Sequence, residues 1–257
     1  MAIFLTPKAP QDSDFRLSGL YLIIGQSNAV GEALISSADV TLQGAISGAR
    51  VWNNGASAFQ GLVAGTNNLG ATASKFGPEM KFAYDMTQAG GEVDIIKYAV
   101  GATNLKTNWA PRTGTQYITA LQWIDAAMTA YRTAHGIHAI KGILWIQGEG
   151  DSNSIADSTA YKARLSAFID AIRSDLSTRG YCTNQVRFII CRIGTTSLAD
   201  DPYADTVRSA QADVAAEKRT ENVGYLDTTG FTLDAGNVHF DAGGQTSIGA
   251  EFADNFI

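Results

Sequence analysis

Ser27 lies in GQSN (25–28), where the apolar run LYLIIG (20–25) gives way to small polar residues and, soon after, to Gly31. A serine hydroxyl presented at the end of a buried strand is a candidate nucleophile. It needs a base to attack near neutral pH, and imidazole is the usual one. Two of the three histidines fall in HGIH (135–138), which leaves His239, in LDAGNVHFDAGGQ (233–245), as the candidate base. A carboxylate then orients the ring and stabilises the imidazolium. Glu149, in WIQGEGD (145–151), and Asp234 are both available. Donors for a developing oxyanion are offered by the backbone N–H groups of Ser27 and Gly101 and by the side-chain amide of Gln147. Together these residues could run acyl transfer through an acyl-serine. Taken alone, GQSN also fits a strand–turn–helix corner, with glycine making the turn and Ser or Asn capping the helix.

Positioning such a set requires a rigid frame. Strand-like segments fall at 20–25, 49–54, 93–100, 140–147, 186–193 and 223–229; they are short, apolar and β-branched, with little alternation, as expected of parallel strands covered on both faces. Between them lie helical patterns. In 116–135, Ile118, Leu121, Ile124, Met128 and Tyr131 recur at helical spacing, with Gly136 as the stop. In 156–180, Tyr161, Leu165, Phe168, Ile172 and Leu176 share a face. A third helix opens on Asp201-Pro202 as cap and first turn, and a last one runs from about 244 to the end. Alternating strand and helix predicts a parallel sheet between helix layers. Segment 55–76 reads as a long loop. Ligands bind at the carboxyl ends of such strands, and three polar clusters fall there: 25–28, 101–104 and 147–151. Gln26, Asn28, Asn104 and Trp109 are assigned to substrate contact, while Asp151 reads as a solvated loop acid or a substrate contact. Trp109, Trp52 and Phe59 could stack on a sugar or be ordinary partly buried aromatics.

Composition narrows the function classes. Apolar residues make up 45% of the 257, enough for a sizeable core. The net charge of −6 and the lack of a basic patch argue against a nucleic-acid surface. No apolar run reaches the roughly 18 residues of a membrane span, and MAIFLTPKAP lacks the features of a signal peptide. Cys182 and Cys191 make neither a disulfide framework nor a zinc site, and Cys191 reads as a small buried hydrophobe. HGIH places two histidines three apart, but Gly136 interrupts the helix and no cysteine supports a metal site; none is expected.

The blocks GQSNAVG (25–31), KYAVGATNLKTNW (97–109), WIQGEGD (145–151) and HFDAGGQTSIG (239–249) resemble, in order, those of the SGNH hydrolase superfamily, and within it the sialate O-acetylesterase-like branch that includes acetylxylan esterases of carbohydrate esterase family 6. The resemblance implies a flavodoxin-like three-layer α/β/α sandwich with a parallel sheet of about five to six strands, and a single SGNH-type esterase domain over 1–257. It implies Ser27 as nucleophile, His239 as base, and an oxyanion hole of Ser27 N–H, Gly101 N–H and the Gln147 amide. It also implies an acetylated oligo- or polysaccharide as substrate, no cofactor, and no nucleic-acid or membrane partner. One position departs from the pattern: the superfamily's Asp three residues before the His is here Gly236. Glu149 is favoured as the replacement because it sits at a strand end; Asp234 is the second choice and a Ser–His pair the third. A non-catalytic carbohydrate-binding or phage-tail module and a lipase or thioesterase on longer acyl chains are the alternatives. Segments 55–76 and 102–116 are expected to wall the site. The compartment is open, with secretion or association with a phage particle favoured over the cytoplasm.

Overall fold

The computed structural model describes residues 19–66, 70–136, 139–197 and 199–257. The reading of MAIFLTPKAP, His138 and residues 67–69 of the expected loop lie outside the described residues.

Among the described residues nine strands form: β1 (Gly19–Gly25), β2 (Ala33–Leu34), β3 (Ala45–Asn53), β4 (Ala58–Val63), β5 (Lys75–Phe76), β6 (Val93–Ala99), β7 (Ile140–Ile146), β8 (Arg187–Cys191) and β9 (Val223–Leu226). Seven make one sheet, ordered β4-β3-β6-β1-β7-β8-β9, while β2 and β5 pair separately. Every pairing in the large sheet is parallel except β3 with β4. The helices are α1 (Ser27–Val30), α2 (Glu79–Gln88), α3 (Thr115–His135), α4 (Ile155–Thr178), α5 (Ala204–Glu217) and α6 (Ala242–Asp254).

The near-continuous apolar strands follow from burial on both faces. Along β1, Leu20, Leu22 and Ile24 point into one core with residues of α3, α4 and α5. Tyr21 and Ile23 point into a second core with residues of α2 and α6. Side chains alternate across a strand, so β1, central in the sheet and fully covered, is apolar at each of these positions. The predicted face of α4 is buried throughout. In α3, Leu121, Ile124, Met128 and Tyr131 are buried, but Ile118 is 42% exposed.

Four expectations need correction. The loop assigned to 55–76 contains β4, an antiparallel edge strand three places from β1 in the sheet, which makes seven strands rather than five or six. Helix α2, absent from the sequence reading, buries Met80, Phe82, Ala83 and Met86. Asp201 does not cap α5, whose preceding residue is Tyr203; its buried carboxylate accepts from Ser152 and Thr195 instead. Trp109 and Trp52 are 0% and 2% exposed. Trp109 meets Trp145 edge-to-face and donates Nε1–H to Thr103 Oγ1, so both tryptophans are core residues and neither offers a sugar platform. Cys182 and Cys191 are free and buried. No helix among the described residues is long and apolar enough to cross a membrane.

One buried ion pair ties the sheet to the turn that carries Ser27. Lys97 Nζ on β6 lies 2.7 Å from Glu79 Oε2 on α2, with side chains 4% and 0% exposed. The same ammonium donates to the carbonyl of Val30, the last residue of α1, at 2.7 Å. Glu79 also accepts the N–H of Gly77. Burial pushes the Lys97 ammonium below its ordinary pKa, against the pull of Glu79. Removing one partner strands a buried charge, which typically costs about 3–5 kcal/mol, whereas replacing both with apolar groups is often neutral. Lys97→Met is therefore expected to lower Tm on the order of 10 °C, and Lys97→Met with Glu79→Leu to recover most of that loss. Thermal melts of the two variants check this; a single variant that melts with the wild type would show the pair to be dispensable.

Candidate active site

β1 delivers Ser27 through a turn that only glycine permits. Gly25 has φ 149°, and a Cβ there would lie 2.0 Å from the carbonyl oxygen of Ile146. Gln26 N–H then donates to that same oxygen, and Gln26 O receives the N–H groups of Ala29 and Val30. Gln26 Oε1 lies 3.3 Å from the N–H groups of both Gly148 and Gly150. The side chain assigned to substrate contact is thus 3% exposed and staples the end of β1 to the end of β7.

The chain returns to this edge 212 residues later. His239 Nε2 lies 3.0 Å from Ser27 Oγ. The bridge between Leu233 and Phe240 is antiparallel, and Asp234 N–H donates to His239 O at 2.8 Å. This sets residues 234 and 239 across from each other, where cross-strand side chains meet. Asp234 Oδ2 accordingly lies 3.7 Å from His239 Nδ1, with the two side chains 43% and 31% exposed. That separation suits an ion pair with a protonated ring and is too long for a hydrogen bond.

Glu149 is not beside the ring in this arrangement. Its Oε1 accepts from Asn28 Nδ2 at 2.7 Å, while Oε2 is buried with no partner among the described residues. The preference for Glu149 as the group orienting His239 is therefore corrected: the carboxylate facing Nδ1 is Asp234, and the amide of Asn28 takes up Glu149. Asn28 is itself 0% exposed, which rules it out as a substrate contact. Its Oδ1 accepts the Phe240 N–H at 2.9 Å, its Nδ2 also reaches Val238 O at 3.3 Å, and its carbonyl accepts from Gln245.

The oxyanion donors divide. Ser27 N–H and Gly101 N–H have no acceptor among the described residues. Gly101 is close by, since a Cβ there would lie 3.7 Å from Ser27 Cβ. Ala102, next in the loop, holds φ 56°, a conformation uncommon for alanine. Gln147, by contrast, is fully buried and commits its amide elsewhere: Nε2 donates to Thr103 O at 3.1 Å and to Asp151 Oδ2 at 2.7 Å. An amide has only two N–H donors, so none remains for an oxyanion, and that expectation is corrected. Asp151 is no solvated acid either. It is 0% exposed and accepts the Leu105 N–H, pinning segment 102–108 to β7. Asn104 fastens the same segment: Oδ1 accepts from Thr107 and the carbonyl from Trp109. His135, from HGIH, stacks on Tyr131 and places Nε2 2.9 Å from Arg50.

The sequence reading missed a further support. Arg208 Nε donates to Ile193 O, and Nη2 donates to Gly194 O and Thr195 O. Thr196 N–H in turn donates to Asn237 O, so the segment after β8 braces the loop that carries His239. Helical spacing places Arg208 on α5 but does not show which way it reaches.

Burial sets the charges beneath the site. Desolvation, reinforced by the Asp201 carboxylate, pushes Glu149 from an ordinary 4.5 up to about 7 against the hydrogen bond from Asn28. Desolvation also raises Asp151. A carboxyl whose folded pKa exceeds its unfolded value binds a proton on folding in the interval between them. Stability then falls as pH rises from about 4.5 to about 7. For Glu149 the full change is on the order of 3 kcal/mol. Glu149→Gln, which cannot ionise, should therefore gain stability over the wild type as pH rises through that window. Urea unfolding at pH 5 and pH 8 checks this; an unchanged difference between the two chains would refute it.

Likenesses to known proteins bear on this geometry. A relative from Arabidopsis thaliana, a probable carbohydrate esterase, is 28% identical over 118 residues, which span 46% of this chain and 40% of that protein. The X-ray structure of a protein from Arabidopsis thaliana superposes with a TM-score of 0.74 at 21% identity, covering 93% of this chain and 97% of that one. NanS gives 0.67 at 12% identity, over 93% and 97%. A carbohydrate acetylesterase from Xanthomonas citri gives 0.60 at 16% identity, over 91% of this chain and 55% of that one. At these identities the superpositions speak for the fold, and they agree with the flavodoxin-like, mostly parallel sheet. The family model described as carbohydrate esterase, sialic acid-specific acetylesterase matches residues 18–257, and the chain belongs to that family.

Proposed function

We propose that this protein is a serine esterase that removes acetyl groups from a carbohydrate through an acyl-enzyme. The observation that carries the reading is the 3.0 Å approach of His239 Nε2 to Ser27 Oγ. It joins a hydroxyl and a base across 212 residues at the carboxyl edge of the sheet. Ser27 Oγ attacks the ester carbonyl while His239 Nε2 takes its proton. The oxyanion that forms is met by the N–H groups of Ser27 and Gly101. His239 returns the proton to the departing sugar hydroxyl, and the acetyl group stays on Ser27. Water then enters, gives a proton to His239 and attacks the acyl carbon, releasing acetate and restoring Ser27. While His239 is protonated, Asp234, at 3.7 Å from Nδ1, stabilises the cation. Membership of a carbohydrate esterase family supports the ester and the sugar; acetyl and an acetylated oligo- or polysaccharide extend it to a substrate class.

Hydrolysis of p-nitrophenyl acetate tests this. Ser27→Ala is expected to fall to background, a loss of roughly 10⁴-fold or more. His239→Ala should fall similarly, because members of such a unit are strongly non-additive. Asp234→Asn is expected to lose about 10- to 100-fold, less than a fully buried and hydrogen-bonded triad acid, whose loss costs about 10⁴. A fluorophosphonate should label wild type and not Ser27→Ala. Absence of both turnover and labelling in folded wild-type protein would defeat the reading and leave a binding module on the same fold.

Acyl size is tested separately, by comparing kcat/KM on acetate, butyrate and octanoate p-nitrophenyl esters. Acetate is expected to be preferred by at least tenfold over octanoate. The reverse order would assign the protein to longer-chain lipase or thioesterase chemistry.

A further inference from the structure

Asn28 follows the nucleophile and is closed to solvent, yet its side chain grips the peptide on both flanks of His239. Oδ1 receives the N–H of Phe240, and Nδ2 reaches the carbonyl of Val238. The other strong contact of Nδ2 is Glu149 Oε1 at 2.7 Å. We propose that Asn28 is a positioning residue, coupling the Ser27 turn to the loop that carries His239, and that Glu149 fixes which way its amide faces. The inference rests on the esterase reading above and adds to it how the base is held.

The chemistry of the amide makes Glu149 the key. An Asn side chain has a donor end and an acceptor end of nearly the same shape. Turned over, Asn28 would set its NH₂ against the Phe240 N–H and, whenever Glu149 is ionised, its oxygen against a carboxylate, which is repulsive at both ends. With Glu149 in place only one orientation is bonded, and it presents an acceptor to the residue after His239. Glu149 is 4% exposed and holds no bond to the imidazole ring, so it acts through Asn28. The carboxylate comes from the buried turn after β7 (Glu149–Asp151), and its neighbour Ser152 hydrogen-bonds both Glu149 O and Asp201. Asn28 is anchored from the other side by Gln245 Nε2, on α6. The result is a link between β1, β7 and α6 with His239 suspended from it. Reacting groups displaced by about 1 Å can lose about 10²-fold in rate. Neither Asn28 nor Glu149 is open to a substrate, so the loss should fall on kcat and not on KM.

The test is steady-state kinetics on p-nitrophenyl acetate, with circular dichroism melts to show that each variant is folded at the assay temperature. Asn28→Asp keeps the acceptor for Phe240 but takes the donor away from Glu149, leaving two acids that either repel or must share a proton. It is expected to lose about 10²-fold in kcat with KM within twofold. Adding Glu149→Gln reverses the donor and acceptor of the pair, and the double variant should recover at least tenfold of that loss. Glu149→Leu removes the acceptor without adding a charge. It should lose at least tenfold in kcat, and more than Glu149→Gln, which keeps an acceptor oxygen; these two carry the test if Asn28→Asp does not fold. Wild-type kcat in Asn28→Asp or in Glu149→Leu overturns the inference. So does a double variant no better than Asn28→Asp, or a loss seen in KM alone. Ser27→Ala run alongside separates the two levels: turnover retained there defeats the esterase reading. Turnover abolished there, with wild-type rates in the Asn28 and Glu149 variants, defeats only this inference.

Discussion

The 3.0 Å contact between Ser27 and His239 is the constraint that the rest of the structure serves. A hydroxyl and an imidazole held on separate stretches of chain drift apart unless each is tied to something rigid. Ser27 is tied by β1, central in the sheet and buried on both faces, and by the Lys97 ammonium on the last carbonyl of α1. His239 is in a loop, and loops are the more mobile part of most folds. Its order is borrowed from three sides: the hairpin closed by Asp234 and His239, the Asn28 amide, and the Thr196 N–H on Asn237 O. The Ser27–His239 distance is thus a property of several buried polar bonds and not of the two residues that display it.

Those bonds are costly to assemble, which explains the unusual charge content under the site. Glu149, Asp151 and Asp201 are all buried at the carboxyl edge, where an isolated carboxylate would be strongly disfavoured. Asp151 is compensated by the Leu105 N–H and the Gln147 amide, and Asp201 by two hydroxyls. Glu149 has one partner for its two oxygens, and desolvation pushes it up to about 7; Asp151 likewise leaves Oδ1 without a hydrogen-bond partner among the described residues. Polar networks of this kind rigidify a site only when their members are satisfied. The unpartnered Glu149 oxygen belongs to the carboxylate that takes the amide of Asn28, the residue after Ser27.

The strands and the long helices were legible because burial on two faces or on one stripe leaves a periodic mark on the sequence. β4 was not: AFQGLV is an edge strand with a glycine inside it, half-exposed, and its neighbours are Gly, Ala, Ser and Asn. Within the site, residue type was legible and direction was not. Gln147, Gln26 and Asp151 stand at strand ends, where polar side chains suggest ligands, yet all three point inward to close the sheet edge. Trp109 misled in the same way, since an aromatic near a site reads equally as platform or core until its indole N–H is seen bonded to Thr103. That Ser27 and His239 would meet was readable because serine after a buried strand and a single histidine outside HGIH leave few other choices.

The choice between Glu149 and Asp234 turned on loop geometry that spacing alone does not encode. An acid three residues before the histidine would stand at Gly236, between the paired ends of a short hairpin. Here the bridge from Leu233 to Phe240 sets 234 opposite 239, and Asn237 takes φ 57° to turn the chain between them. Five residues of separation therefore bring the carboxylate to the ring by crossing the hairpin, not by following the backbone. At Gly236 a Cβ would lie 3.4 Å from Asp234 Oδ1, an ordinary van der Waals contact, so lack of space does not require the glycine there. What brings an acid to the ring is the cross-strand pairing of 234 with 239, whatever stands at 236.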